Sequence, residues 1–300
     1  MHGVNFENPW LLSVDRAGRR LPAWAAALGS AAFAAIVLFG FKAVGGDLVG
    51  ALAGLAKAAP KGWDVAIAQG LLQVLVFASF MAVAVVGMKI EGRRVLGLPG
   101  GGMPWTVAGL LIGLIGFGLS VAIAAAAGAV GVGAEAPLAP LAVSLMVGLA
   151  LVAFQAVAEE VFFRAWLQPL LSVQWGPWVG LVITSALFAG LHVISGVGGA
   201  LAVINLFLGG LLFGLLALRS GGLAAPAAAH FAWNWTETGG LGLDGTPTGG
   251  LISLHLQGSP LWSGGADTMN GSLATTLVLA VLVFGLIVAR RAGAKSAVAS

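Results

Sequence analysis

Residues 140–171 read PLAVSLMVGLALVAFQAVAEEVFFRAWLQPLL. Apart from Glu159, Glu160 and Arg164, nothing in this run ionises. A bilayer-crossing helix needs about 20 apolar residues, so the stretch predicts a membrane helix, tilted or emerging at one end. A charged side chain at the centre of such a helix costs about 2.5–3.5 kcal/mol on insertion scales. Three of them within six residues therefore require a reason.

The rest of the chain fits a membrane setting. Of 300 residues, 59% are hydrophobic and 8% charged, where a soluble domain carries about 25% charged residues. The mean hydropathy is +1.01. Such a chain cannot cover a water-facing surface with charge. It reads as an all-α, polytopic helix bundle. The 47 glycines suit close helix packing in lipid. There is no cysteine, which excludes disulfides and thiol catalysis. A net charge of +3 gives no nucleic-acid signature.

Hydropathy predicts eight spans, at about 23–41, 65–88, 105–127, 140–171, 178–195, 200–218, 223–238 and 272–289. The expected domains are an N-terminal arm (1–22), a bundle (23–289) with its catalytic core at about 140–238, and a basic tail (290–300). With the N-terminus inside, inner segments hold Arg16, Arg19, Arg20, Lys89, Arg93, Arg94, Arg219, Arg290, Arg291 and Lys295, while outer segments hold Lys42, Lys57 and Lys61. Basic loop residues favour the cytoplasm, so both termini are expected inside the cytoplasmic membrane. Trp10, Trp24, Trp63, Trp105, Trp175 and Trp178 fall near helix ends, as an interfacial belt does. No internal repeat argues for an inverted-repeat transporter.

Glu159 and Glu160 point about 100° apart on a helix and cannot share one task. Glu160 and Arg164 are spaced i, i+4 in the favourable order for an ion pair. Glu159 has no counter-ion on its own helix. Taken alone, the helix suits a structural clamp as well as a site. Two other spans add polar groups: His192 in LFAGLHV, and His230 with Asn234 in HFAWN. A carboxylate and an imidazole can move a proton from water. A second imidazole and an amide can donate to an oxyanion. Glu159, His192 and His230 could alternatively hold a catalytic zinc. Counting rise along each helix is compatible with one buried site reached from the cytoplasmic side.

These residues resemble the CAAX prenyl protease and bacteriocin-processing (CPBP, or Abi) family of intramembrane proteases. Its motifs EExxxR, FxxxH and HxxxN occur here in order, as Glu159-Glu160-VFF-Arg164, Phe188-AGL-His192 and His230-FAW-Asn234. The resemblance implies hydrolysis of a peptide bond in a membrane-associated protein or peptide. It implies that Glu159 with His192 activates water, that His230 with Asn234 holds the oxyanion, and that Glu160 and Arg164 support them. It leaves a zinc-dependent and a metal-free mechanism both open. The chain has no HExxH, so zinc would have to be gathered across helices. Eukaryotic members trim prenylated CAAX proteins; some prokaryotic ones are linked to bacteriocin maturation or self-immunity.

Two other functions compete. A non-enzymatic immunity or scaffold protein would keep the motifs for helix packing. A proton-coupled transporter would use Glu159 and the histidines as a relay, yet the remaining helices offer few relay groups. Gln155 is expected to bridge helices more than to orient Glu159, and Asn205 to make a packing hydrogen bond. Glu237, on the His230–Asn234 face, reads equally as an interfacial residue. Asp244 and Asp267 are expected to be solvated, and His2 and His255 carry no assigned role.

Overall fold

The computed structural model describes residues 21–55, 63–93, 102–133, 138–243 and 250–289. Residues 1–20, 56–62, 94–101, 134–137, 244–249 and 290–300 fall outside it, and with them most of the expected arm, Lys57 and Lys61, most of the basic loop, Asp244 and the tail. The α-helices are α1 (Ala23–Leu55), α2 (Trp63–Ile90), α3 (Gly102–Ala126), α4 (Leu138–Glu160), α5 (Gln168–Trp175), α6 (Pro177–Ser195), α7 (Ala200–Ser220), α8 (Ala224–Trp235), α9 (Pro260–Ser263) and α10 (Leu273–Val288). A π-helical segment, Val161–Leu167, joins α4 to α5 without a turn. The all-α polytopic bundle is as expected.

Seven helices among the described residues are long and apolar enough to cross a membrane, not eight. The expected span at 223–238 is α8, of 12 residues, followed by a π-turn at Thr236–Gly240. At 1.5 Å per residue, α8 rises about 18 Å against about 30 Å of hydrocarbon. In the other direction, α1 runs to Leu55 rather than stopping near 41. No proline interrupts residues 42–55, so the helix continues despite four glycines that each weaken it by about 1 kcal/mol. The α5–α6 corner is a glycine–proline stop: Gly176 has φ 90°, and Pro177 opens α6. Hydropathy gave no hint of two short strands, Val130–Val132 and Leu254–Leu256, which pair antiparallel with Gly131 opposite His255.

Packing follows small residues. On α3, a Cβ at Gly109 or Gly113 would collide with the carbonyl oxygens of Ala225 or Ala229 on α8. Backbone therefore meets backbone, as small-xxx-small spacing permits in lipid. At Gly116 the ring of Trp233 fills the gap. These contacts fix the rotation of α8, which carries His230 and Asn234. On α2, Gly87 lacks the Cβ that would strike the Trp166 indole, so the π segment seats directly against α2. A run of edge-to-face rings, Phe33–Phe80–Phe162–Phe163–Phe188, crosses the core.

The two ends of the bundle differ. At one, Arg93 Nη2 donates to the Ala165 carbonyl at 2.7 Å, and Glu91 accepts from Trp166 Nε1 and from Arg93 Nη1 at 3.3 Å each. Burial pushes the Glu91 carboxyl up from its ordinary range, against Arg93 and Trp166, which lower it. Arg219 Nη2 donates to Ala289 O at 2.8 Å at this same end. The other end holds the strand pair and the segment before α10. There Asp267, expected to be merely solvated, accepts from Gly198 N at 3.3 Å and Gly199 N at 2.7 Å, at the start of α7.

Candidate active site

The charged motif divides as its helical spacing requires. Glu160 and Arg164 are 0% and 1% exposed. Arg164 Nη1 donates to Glu160 Oε1 at 2.9 Å, and Arg164 Nη2 to the Gly210 carbonyl of α7 at 3.0 Å. The guanidinium carbon also lies 5.0–5.6 Å from the ring centres of Phe163, Phe188 and Phe213. A cation packed among aromatic faces is stabilised by their quadrupoles. The π segment carries Arg164, and the Ala165 carbonyl within it is taken by Arg93, as noted above. Irregular turns of this kind recur at functional sites.

Glu160 reaches a second helix. His230 Nδ1 lies 2.9 Å from Glu160 Oε1. Since a carboxylate only accepts, Nδ1 carries the hydrogen. The His230 ring stacks on Phe213, with centroids 4.7 Å apart at 15°. His192 is held by its own helix: Nδ1 sits 2.8 Å from the Phe188 carbonyl, so Nδ1 is the donor and Nε2 the acceptor of the neutral ring. Phe188 packs against His192 with centroids 4.7 Å apart and against His230 at 5.9 Å. That ring contact was foreseeable from the FxxxH spacing.

Glu159 points elsewhere. Its Oε1 accepts from Gln155 Nε2 at 3.1 Å, and Gln155 Oε1 accepts from Gln73 Nε2 at 3.0 Å. Gln155 thus both bridges to α2 and orients the carboxylate, where only bridging was favoured. Glu159 and His192 line a cavity of about 160 Å³ beside α1 and α2. His192, His230 and Asn234 line a larger one of about 280 Å³. Gln155 and His192 belong to both. The motif residues therefore surround two adjoining cavities, with His192 on the shared wall.

The conditional zinc set is not assembled. Among the described residues, no three His, Asp or Glu side chains group as metal ligands. The reason is geometric: Glu159 is turned to Gln155, and His230 is turned to Glu160. No chemical step is assigned to a metal here.

The larger cavity includes residues that the sequence undervalued. Asn205, Glu237, Thr238 and Asn270 all line it. Asn205 Nδ2 makes the expected packing bonds, to Asn270 O at 2.7 Å and Ser272 O at 2.9 Å. Glu237 Oε1 accepts from Thr268 Oγ1 at 3.2 Å. Its position, three residues after Asn234, was the available signal. Glu237, Thr238 and Asn270 are the part of this lining that lies toward the strand pair. Counting rise gives a level along each helix but not the side on which a cavity opens.

Residues 141–236 match the family model for Rce1-like proteins, described as type II CAAX prenyl endopeptidase Rce1-like. All seven motif residues, from Glu159 to Asn234, fall within that segment. No curated protein and no solved structure gives a significant match.

Proposed function

With residues 141–236 matched to the Rce1-like type II CAAX prenyl endopeptidases, a family of proteases, we propose that this membrane protein is an intramembrane endopeptidase. The observation that carries the reading is the shared wall. His192 faces both the cavity of Glu159 and the cavity of His230 and Asn234. A water between Glu159 and His192 would lie beside the place where a carbonyl meets the other two groups.

In this reading, Glu159, aligned by Gln155, takes a proton from water with the help of His192 Nε2. The hydroxide oxygen bonds to the peptide carbon, and the carbonyl electron pair moves onto oxygen. Asn234 donates to that oxyanion through its amide. His230 donates through Nε2, which needs the ring doubly protonated, and Glu160 against Nδ1 supports that cation. The proton held by Glu159 then passes to the leaving nitrogen as the C–N bond breaks. Correctly placed proton transfer contributes about 10²–10⁴-fold, and each oxyanion donor about 10²–10³-fold.

The substrate is a membrane-associated protein or peptide. The test compares new N-termini in membranes carrying the wild-type chain, Glu159→Ala or no copy. Cleavage products present only with wild type, at equal levels of folded protein, are the expected result. Identical termini in all three would refute the endopeptidase reading and favour an immunity or scaffold role.

A further inference from the structure

We infer that the cavity shared by His192, His230 and Asn234 takes a cationic group, an ammonium or a guanidinium, with Glu237 as its counter-charge. Resting on the endopeptidase reading, this makes a lysine or arginine beside the cleaved bond the feature by which a substrate is chosen. The binding of the cation itself does not rest on that reading.

Glu237 is a carboxylate that the proposed mechanism leaves unused. It lines the cavity of about 280 Å³ together with His230 and Asn234. Its Oε1 accepts from Thr268 Oγ1 at 3.2 Å. Among the described residues, ion pairs join Glu91 to Arg93, and Glu160 to Arg164 and His230, but no Lys, Arg or His pairs with Glu237. Glu160 thus has its cation within the fold, and Glu237 does not. A single neutral hydroxyl is weak compensation for a charge withdrawn from bulk water.

The groups around Glu237 are short of donors as well. Thr238 Oγ1 gives its only hydrogen to the Asn234 carbonyl at 2.9 Å, so what remains to this hydroxyl is accepting. Asn205 is 2% exposed, and its Nδ2 donates to the carbonyls of Asn270 and Ser272 at 2.7 and 2.9 Å. Those two bonds fix which way the amide faces and leave its Oδ1 buried without a donor. Asn205, Glu237 and Thr238 all line the one cavity. A carboxylate, a hydroxyl and an amide oxygen together match a group that carries positive charge and several N–H donors. Lysine and arginine side chains are such groups. An apolar side chain would leave these acceptors unpaired, which is how a polar pocket rejects it.

The position suits a residue beside the scissile bond. Glu237 follows Asn234 by three residues, about 4.5 Å of rise along the helix. With the carbonyl held at Asn234, the long stem of a lysine or arginine on the adjoining residue spans that gap.

The probes are Nα-acetyl-arginine methylamide and Nα-acetyl-citrulline methylamide, which match in shape and differ in charge. Binding to the full chain in mixed micelles is read by tryptophan fluorescence, with Trp233 in the cavity lining. Wild type should prefer the arginine probe by about 10-fold or more, as a charge-assisted hydrogen bond requires, and Glu237→Gln should bind both alike. A wild type that binds neither probe, or both equally, overturns the proposal, as does a preference that survives in Glu237→Gln. The wild-type comparison needs no variant, so it decides the matter if Glu237→Gln fails to fold. Neither probe has to be cleaved, so this result stands apart from proteolysis. New N-termini are then mapped in membranes carrying wild type, Glu237→Gln or Glu159→Ala. Lysine or arginine should be enriched beside the bonds cut by wild type, and the enrichment should vanish in Glu237→Gln. Cleavage without that enrichment overturns the substrate assignment and leaves the protease reading intact. Termini unchanged in Glu159→Ala refute the protease reading and leave the cation site to the binding result.

Discussion

Removing Arg164 exposes how the site is held. In Arg164→Met, Glu160 loses a 2.9 Å charge-assisted bond and keeps only His230 as a partner of Oε1. A 0%-exposed carboxylate is left without its cation. Breaking a buried pair from one side costs about 3–5 kcal/mol, and the lost contacts with three rings add to this. Replacing both partners is far milder, because no buried charge remains. In Glu160→Gln/Arg164→Met the amide oxygen still accepts from His230 Nδ1, and the thioether occupies the aromatic box. The assay is reversible unfolding of the full chain in mixed micelles, followed by tryptophan fluorescence. The single variant should fall by at least about 3 kcal/mol, and the double variant should recover more than half of that loss, a coupling at the upper end of the usual 0.5–3 kcal/mol. An Arg164→Met protein within about 1 kcal/mol of wild type, or a double variant as unstable as the two singles combined, would refute the reasoning.

Four further outcomes are expected. Gly113→Leu drives a side chain into the Ala229 carbonyl, and should separate α3 from α8 and abolish folded protein on size-exclusion chromatography, whereas Gly118→Leu, with open space around it, should leave the profile unchanged. Gln155→Leu removes the hydrogen bond that orients Glu159, and should lower cleavage about 10-fold or more with the fold intact, since misplaced catalytic groups are costly. Asn205→Leu unpairs two carbonyls, and should lower stability by about 1–3 kcal/mol in the same unfolding assay. Burial raises the Glu91 carboxyl, so the folded chain holds that proton more tightly than the unfolded chain. Stability should then fall as pH rises through and above the ordinary carboxylate range, and Glu91→Gln should flatten that slope.

The sequence was informative where one physical force decides. Apolar length located the long helices, and glycine with proline marked the α5–α6 corner. The i, i+4 spacing of Glu160 and Arg164 foretold their ion pair. It was less informative where two helices must be compared. Nothing in EExxxR says that Glu160, rather than Glu159, meets His230; that depends on the rotation of α8, set by Gly109 and Gly113 against alanine carbonyls. Spacing alone could not decide between zinc and no zinc for the same reason, since ligand geometry across three helices is invisible in a linear sequence. Hydropathy also overstated α8, because HFAWNWTE is apolar enough to resemble a span while its helix ends after 12 residues. The lining residues Asn205 and Glu237 looked like ordinary packing and interfacial groups, and only their convergence with Asn234 distinguishes them.

The shortness of α8 has a consequence for the bilayer itself. Its long neighbours have the length to traverse the hydrocarbon layer, but the α-helical part of α8 is about 12 Å shorter than a full crossing. That missing length is walled by asparagine, threonine and glutamate, so lipid tails are poor filling for it and solvent is good filling. A bilayer around this protein would meet a polar recess there, a well lined down to the level of His230. The depth of that well is measured against the lipid around it. Longer acyl chains would raise the surrounding surface above the rim, and shorter ones would lower it, making membrane thickness a control on how readily a polar chain can descend to His230.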